Sequence, residues 1–218
     1  MTAHEALNTI TYQTLKKMIL NGELDFNTIY SETKLSSELG VSRTPFREAL
    51  MRLNQEFYVD IIPSKGFTLH KPGIKDLISA SHFRLAVEGY CASIIASNIH
   101  NKDYLNIILE MDSILSMQRA VADEAHIKRF WLLDTQFHTL LVSHLNNPYF
   151  DSLYASCNHF FTSLPVSNFF SEQRHLSTLK EHQVIIDALK SGNPERAQKA
   201  VTFHVNESLR IIAQDNMN

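Results

Sequence analysis

The sequence predicts a mainly α protein in two parts: a winged helix-turn-helix over residues 1–71 and an all-α helical bundle over residues 72–218. Three observations predict it. Two short helical stripes flank a turn of about three residues at Gly40, the length of a helix-turn-helix turn. Two short apolar runs around Pro63-Ser64-Lys65-Gly66 follow at once and read as a hairpin. From residue 74 onward, helical periodicity recurs without strand alternation.

The first helix rests on Tyr12, Leu15, Met18 and Ile19, which fall on one stripe between Glu5 and Leu20, with Gly22 placed to close it. Ser31 offers an N-cap for a second, brief helix that carries Leu35 and Leu39 and ends at Gly40. Ser42 is the cap candidate for a third, whose inward face is Phe46, Ala49, Leu50 and Leu53. That face turns Arg43, Thr44 and Arg47 outward in the first turns, the part of a recognition helix that reaches base edges and phosphates. Arginine suits both targets, because its planar fork bridges guanine O6 and N7 or a phosphate with two hydrogen bonds. Pro45 is tolerated there, since first-turn amides have no intrahelical partner. Tyr58 to Ile62 and Phe67 to His70 are the predicted strands of the wing, with Lys65 and Gly66 at its tip to approach the DNA backbone. A merely solvated basic face is the competing reading of Arg43, Arg47 and Arg52.

The run Leu39-Gly40-Val41-Ser42-Arg43-Thr44-Pro45-Phe46-Arg47-Glu48-Ala49-Leu50 resembles the signature of the GntR superfamily of bacterial regulators. The resemblance implies that Arg43, Thr44, Arg47 and Gly66 contact operator DNA. Thr33 stands where many members have a DNA-contacting arginine, and Phe57 where a glycine usually begins the passage to the wing. Asp25-Phe26-Asn27 replaces the usual Pro-Gly.

His70-Lys71-Pro72-Gly73 breaks the strand and marks the linker. Beyond it, stripes such as Tyr104, Ile107, Ile108, Met111, Ile114 and Leu115, and breaks at Asn101, Asn146-Asn147-Pro148, Pro165 and Ser191 to Pro194, give about six or seven helices. Asp134 and His138 are one helical turn apart and share a face. His182 and His204 lie on two further helices. One carboxylate and three imidazoles from three helices suit zinc, nickel, manganese or a similar divalent ion; each histidine alone is more often a core or surface residue. His126, His144 and His175 are read as surface residues, and Cys91 and Cys157 as buried small apolar ones.

Asp134 to Leu141, Asn147-Pro148, Glu181-His182 and Phe203-His204 are together similar to the FadR-like branch, whose C-terminal ligand-binding domain is called FCD. That resemblance implies a divalent metal on Asp134, His138, His182 and His204, a small carboxylate effector gripped beside it, and Arg84 facing the same pocket. A salt bridge to Glu88 is the alternative role of Arg84. No Arg or Lys occurs from Trp131 to Gln173, which weakens the case for a dicarboxylate. Asn158, His159, Tyr154 and Phe160, Phe161, Phe169 and Phe170 are candidates to shape the pocket or to pack in a core or dimer.

Composition sets bounds on these readings. The 218 residues are 44% apolar and 20% charged, ordinary for a soluble fold and too apolar for disorder. A net charge of -3 announces no global basic surface, so any DNA footprint is local. Two cysteines make no disulfide framework. No basic segment followed by an apolar one opens the chain, and no apolar run approaches a membrane span, so the cytoplasm is the expected location. The function expected is a homodimeric, non-enzymatic regulator that binds double-stranded operator DNA under control of a small organic acid. A regulator for which the ion itself is the signal is the nearest alternative. A metalloenzyme is the remote one, since no general base or nucleophile motif stands beside the proposed ligands.

Overall fold

The computed structural model describes residues 3–162 and 172–215. The chain divides into two compact units, Met1–Lys71 and Pro72–Asn218. In the first, α1 (Ala3–Leu20), α2 (Glu32–Glu38) and α3 (Arg43–Gln55) precede strands β1 (Val59–Ile62) and β2 (Gly66–Leu69). Tyr12, Leu15 and Ile19 of α1 meet Phe46, Ala49, Leu50 and Leu53 of α3 in a core completed by Tyr58, Val59, Phe67 and Leu69. Burying each large side chain there contributes roughly 1.5–3 kcal/mol. Ser31 caps α2 by accepting from the Lys34 amide at 3.4 Å, as its sequence position predicts. Ser42 precedes α3 in extended conformation but makes no side-chain cap bond.

The two strands pair antiparallel, Val59 opposite Leu69 and Ile62 opposite Gly66. β1 starts one residue later than the sequence expectation and β2 lies one residue earlier, and the Tyr58 carbonyl accepts from the His70 amide just beyond the ladder. Tyr30 adds a bridge to Phe67 that the sequence did not announce. A Cβ on Gly66 would lie 2.0 Å from the Tyr30 carbonyl oxygen, and its φ is +130°, so only glycine lets the wing close on that bridge. Phe57 also holds a left-handed conformation, φ 59°, which explains why a glycine is the usual occupant of its position.

The second unit contains, among the described residues, α4 (Ile74–Ser97), α5 (Lys102–Ala120), α6 (Ile127–Ser143), α7 (Pro148–Thr162), α8 (Glu172–Lys190) and α9 (Pro194–Asp215). Six helices agree with the breaks read from the sequence. Asn101 caps α5 by accepting from the Asp103 amide at 2.9 Å. Asn146 turns with φ 48° ahead of Pro148, and Gly192 ends α8 with φ 69°. Pro165 lies outside the described residues, as do Phe169, Phe170 and the side chains of His159, Phe160 and Phe161. The core runs through Ala92, Ile95, Met111, Leu115, Leu133, Phe137, Ile185, Leu189, Val201 and Val205. No described helix is long and apolar enough to cross a membrane.

Three surface or core expectations need correction. His175 is buried and stacks on Phe130 at 4.2 Å between ring centroids. Its place two turns before His182 puts it on the same inward face of α8. His144 is half-buried with its ring edge-on to Tyr104 at 5.5 Å. Cys157 is half-buried, where Cys91 is fully buried.

Candidate functional site

In the first unit α3 presents Arg43, Thr44 and Arg47 to solvent, because Pro45, Phe46, Ala49 and Leu50 take the inward positions. Lys65 is exposed at the wing tip, and Gly66 is half-buried beneath it. Among the described residues, Arg43, Arg47 and Lys65 carry no ion pair. The far end of α3 is tied down instead. Lys16 of α1 donates to Glu56 and to the Tyr12 hydroxyl, both at 2.8 Å. Arg52 lies over the Tyr12 ring at 3.7 Å and donates to Glu56 at 3.1 Å. Burial alone would raise the Glu56 pKa, but the hydrogen bonds from Lys16, Tyr12 and Arg52 hold it below the usual value. Thus the end of the helix that carries the DNA-reading candidates is unengaged, while its other end is anchored to α1.

In the second unit the four proposed ligands converge. Asp134 and His138 come from α6, His182 from α8 and His204 from α9, and the three histidines are buried. One ring nitrogen from each of the three lies within 4.8 Å of the others. The His182 Nε2 to Asp134 Oδ1 distance is 3.5 Å, and His138 Nε2 to Asp134 Oδ2 is 4.0 Å. Atoms bound to one ion at roughly 2.0–2.1 Å must stand a few ångströms apart in this way.

What orients the rings is a set of acceptors behind them. His138 Nδ1 lies 2.8 Å from Glu88 Oε2, His182 Nδ1 2.8 Å from Gln118 Oε1, and His204 Nδ1 2.7 Å from Glu181 Oε2. A carboxylate or an amide oxygen can only accept, so each Nδ1 carries the proton and each Nε2 presents a lone pair. Phe137 adds a parallel stack on His182, 4.0 Å between centroids at 6°.

The consequence tests the fit of a metal. His204 Nε2 and His138 Nε2 lie 3.0 Å apart with no proton between them, and His182 Nε2 is buried without a hydrogen-bond partner. Three lone pairs and a carboxylate facing one point repel one another until a cation sits among them, so the donor set fits a divalent ion. Burial foremost, then the neighbouring imidazoles, hold His182 and His204 well below the ordinary histidine value, which keeps them in the neutral form that ligates.

Glu88 does more than its sequence position indicates. It accepts from Arg84 Nε at 2.5 Å, from the Tyr154 hydroxyl at 2.7 Å and from His138. Burial opposes its ionisation, but the Arg84 guanidinium and the His138 ring hold its carboxyl well below the usual range. Arg84 therefore makes the salt bridge that was one of its two expected roles. Glu181 is held in parallel fashion: Arg174 donates to it at 2.7 Å and to Ser208 at 2.8 Å. Sequence reasoning missed Glu88, Gln118, Glu181 and Arg174 as supports of the histidines; the helical spacings of Arg84 with Glu88 and of Arg174 with Glu181 were the available signals. Beside the centre, a cavity of about 350 Å³ is lined by Thr139, Val142, Ser143, Asp151, Tyr154, Ala155 and Asn158.

Comparison with known proteins agrees with both halves. Residues 5–69 match the family described as bacterial regulatory proteins, gntR family, and residues 79–207 match the FCD domain. The HTH-type transcriptional regulator YdhC of Bacillus subtilis is 26% identical over 195 residues, 89% of this chain and 86% of that one. The HTH-type transcriptional repressor RspR of Escherichia coli is 26% identical over 219 residues, 97% of this chain and 92% of its own. Among solved structures, a GntR transcriptional regulator from Rhodococcus sp. RHA1 superposes with a TM-score of 0.71 at 23% identity, covering 95% of this chain and 97% of that one. E. coli McbR/YncC gives 0.68 at 17% identity over the full length of both.

Proposed function

The chain belongs to the gntR family of bacterial regulatory proteins and carries an FCD domain, so it is a DNA-binding transcriptional regulator, and we propose that a small organic acid held at a divalent metal in the helical unit sets its grip on operator DNA. The observation that carries this reading is the convergence of three oriented imidazole lone pairs on Asp134. Asp134, His138, His182 and His204 hold the ion, which supplies Lewis acidity toward a carboxylate oxygen. The site binds without reacting. Arg84 contributes hydrogen bonds to the bound acid from the wall that Glu88 shares with His138.

In the other unit, Arg43, Thr44 and Arg47 read the major groove, while Lys65 and the Gly66 backbone lie against the phosphates. A homodimer in the cytoplasm places two such helices on half-sites about one DNA turn apart. The acid switches the regulator only because it binds the DNA-competent and DNA-incompetent arrangements with different affinity.

One fluorescence-anisotropy experiment on an operator duplex separates the two sites. Arg47→Ala weakens operator binding by ~1–3 kcal/mol, with unchanged metal content by native mass spectrometry. The double variant His138→Ala/His182→Ala loses the ion and the response to acid yet keeps operator affinity. A full acid response in that double variant would remove the metal centre from the sensor.

A further inference from the structure

We propose that the acid this site selects carries a single negative charge, paired with a neutral hydroxyl or carbonyl donor, because both buried arginines are already matched by glutamates. The inference rests on the metal-centred effector reading and narrows it.

The charges around the centre can be assigned one by one. Arg84 is bound to Glu88 at 2.5 Å with side chains 8% and 0% exposed, and Arg174 to Glu181 at 2.7 Å with 8% and 11%. Each pair is internally neutral, and each glutamate is further committed to orienting a histidine, His138 or His204. Tyr154 donates to Glu88 and stays a neutral phenol. Among the described side chains that face the imidazoles, the remaining charge is Asp134. A divalent ion added to Asp134 and three neutral histidines leaves one positive charge. The sum is taken over the described side chains; between residues 159 and 173, His159 and Glu172 are the ionisable residues that lie outside it.

A singly charged carboxylate brings the buried set to neutrality. A dianion leaves one negative charge in a pocket where each guanidinium charge is already balanced by a glutamate, whatever hydrogen bonds Arg84 still donates, and an uncompensated buried charge is strongly disfavoured. The neighbouring cavity does not rescue it, since its lining among the described residues includes Asp151 and no Arg or Lys. The absence of Arg and Lys from Trp131 to Gln173 acquires a physical meaning here: the next residue is Arg174, and it serves Glu181.

The test uses the full-length, metal-loaded protein and two isosteric probes, L-malate and its β-amide, which differ by one charge at matched size. Isothermal titration is expected to favour the amide by about tenfold or more. Glu88→Gln removes one buried negative charge and shifts the preference toward malate by a similar factor; Glu181→Gln does the same from the opposite wall, with metal content of each protein checked by native mass spectrometry. Malate binding as tightly as the amide to the wild-type protein overturns the charge assignment and leaves the effector reading standing. Binding of neither probe overturns both.

Discussion

The Arg52–Glu56 pair in the N-terminal unit and the Arg84–Glu88 pair in the helical unit have the same helical spacing and opposite surroundings. Arg52 is 54% exposed and its partner 19%, at 3.1 Å; Arg84 is 8% exposed and Glu88 fully buried, at 2.5 Å. In water-facing surroundings the attraction of such a pair is offset by side-chain entropy and screening, so its contribution is small. In the interior neither partner can be left alone, because the survivor keeps the cost of a buried charge. The difference reflects what each unit does. The DNA-reading unit keeps its charges at the surface, ready for a polyanion, and uses a few to brace α3. The helical unit encloses Arg84–Glu88 and Arg174–Glu181 as neutral pairs beside the histidines.

The largest effect expected from this contrast is Arg84→Ala. It leaves Glu88 ionised and buried against His138, and unfolding free energy falls by about 3–5 kcal/mol. The protein has one tryptophan, Trp131, which sits on α6 of the helical unit and reports that unit directly. A large downward shift in the urea midpoint of Trp131 fluorescence is the expected readout. Arg52→Ala is its counterpart: loss of an exposed pair and of the contact over the Tyr12 ring costs up to about 1 kcal/mol and leaves the Trp131 transition in place. Equal shifts for the two substitutions would show that burial does not separate these pairs.

How far each site could be read from the chain follows the same division. Arg43, Thr44 and Arg47 were legible because an exposed face is the complement of an apolar stripe, and Phe46, Ala49, Leu50 and Leu53 define that stripe within one helix. The metal candidates were legible in part: Asp134 and His138 share a helix turn, His182 and His204 were named from two further helices, and the family resemblance joined the four as one ligand set. Their supports were not legible. Gln118 stands 64 residues from His182, and Glu88 50 residues from His138, on helices whose mutual packing no periodicity specifies. His175 was misread for a related reason, since a histidine on an inward helix face looks like one on an outward face until the helix has neighbours. Gly66 illustrates a further gap: its glycine is required by the Tyr30 carbonyl, a contact made across the unit rather than along the chain.

The smallest effect separates the units by backbone strain rather than charge. Phe57 and Asn146 both adopt left-handed conformations, φ 59° and 48°. Asparagine tolerates that region because its short amide bonds locally, whereas a phenylalanine Cβ crowds the following carbonyl oxygen. The Phe57 ring is half exposed and meets His70 edge-on at 6.1 Å, a contact set against the strain of the left-handed backbone. Phe57→Gly therefore stabilises the N-terminal unit by about 0.5 kcal/mol, the relief of strain being reduced by the greater entropy of glycine in the unfolded chain. Amide hydrogen exchange of β1 and β2 measures it, with slower exchange expected in the variant. Faster exchange would mean that the Phe57 contact with His70 outweighs the strain, and that the aromatic residue at the entrance to the wing is a brace.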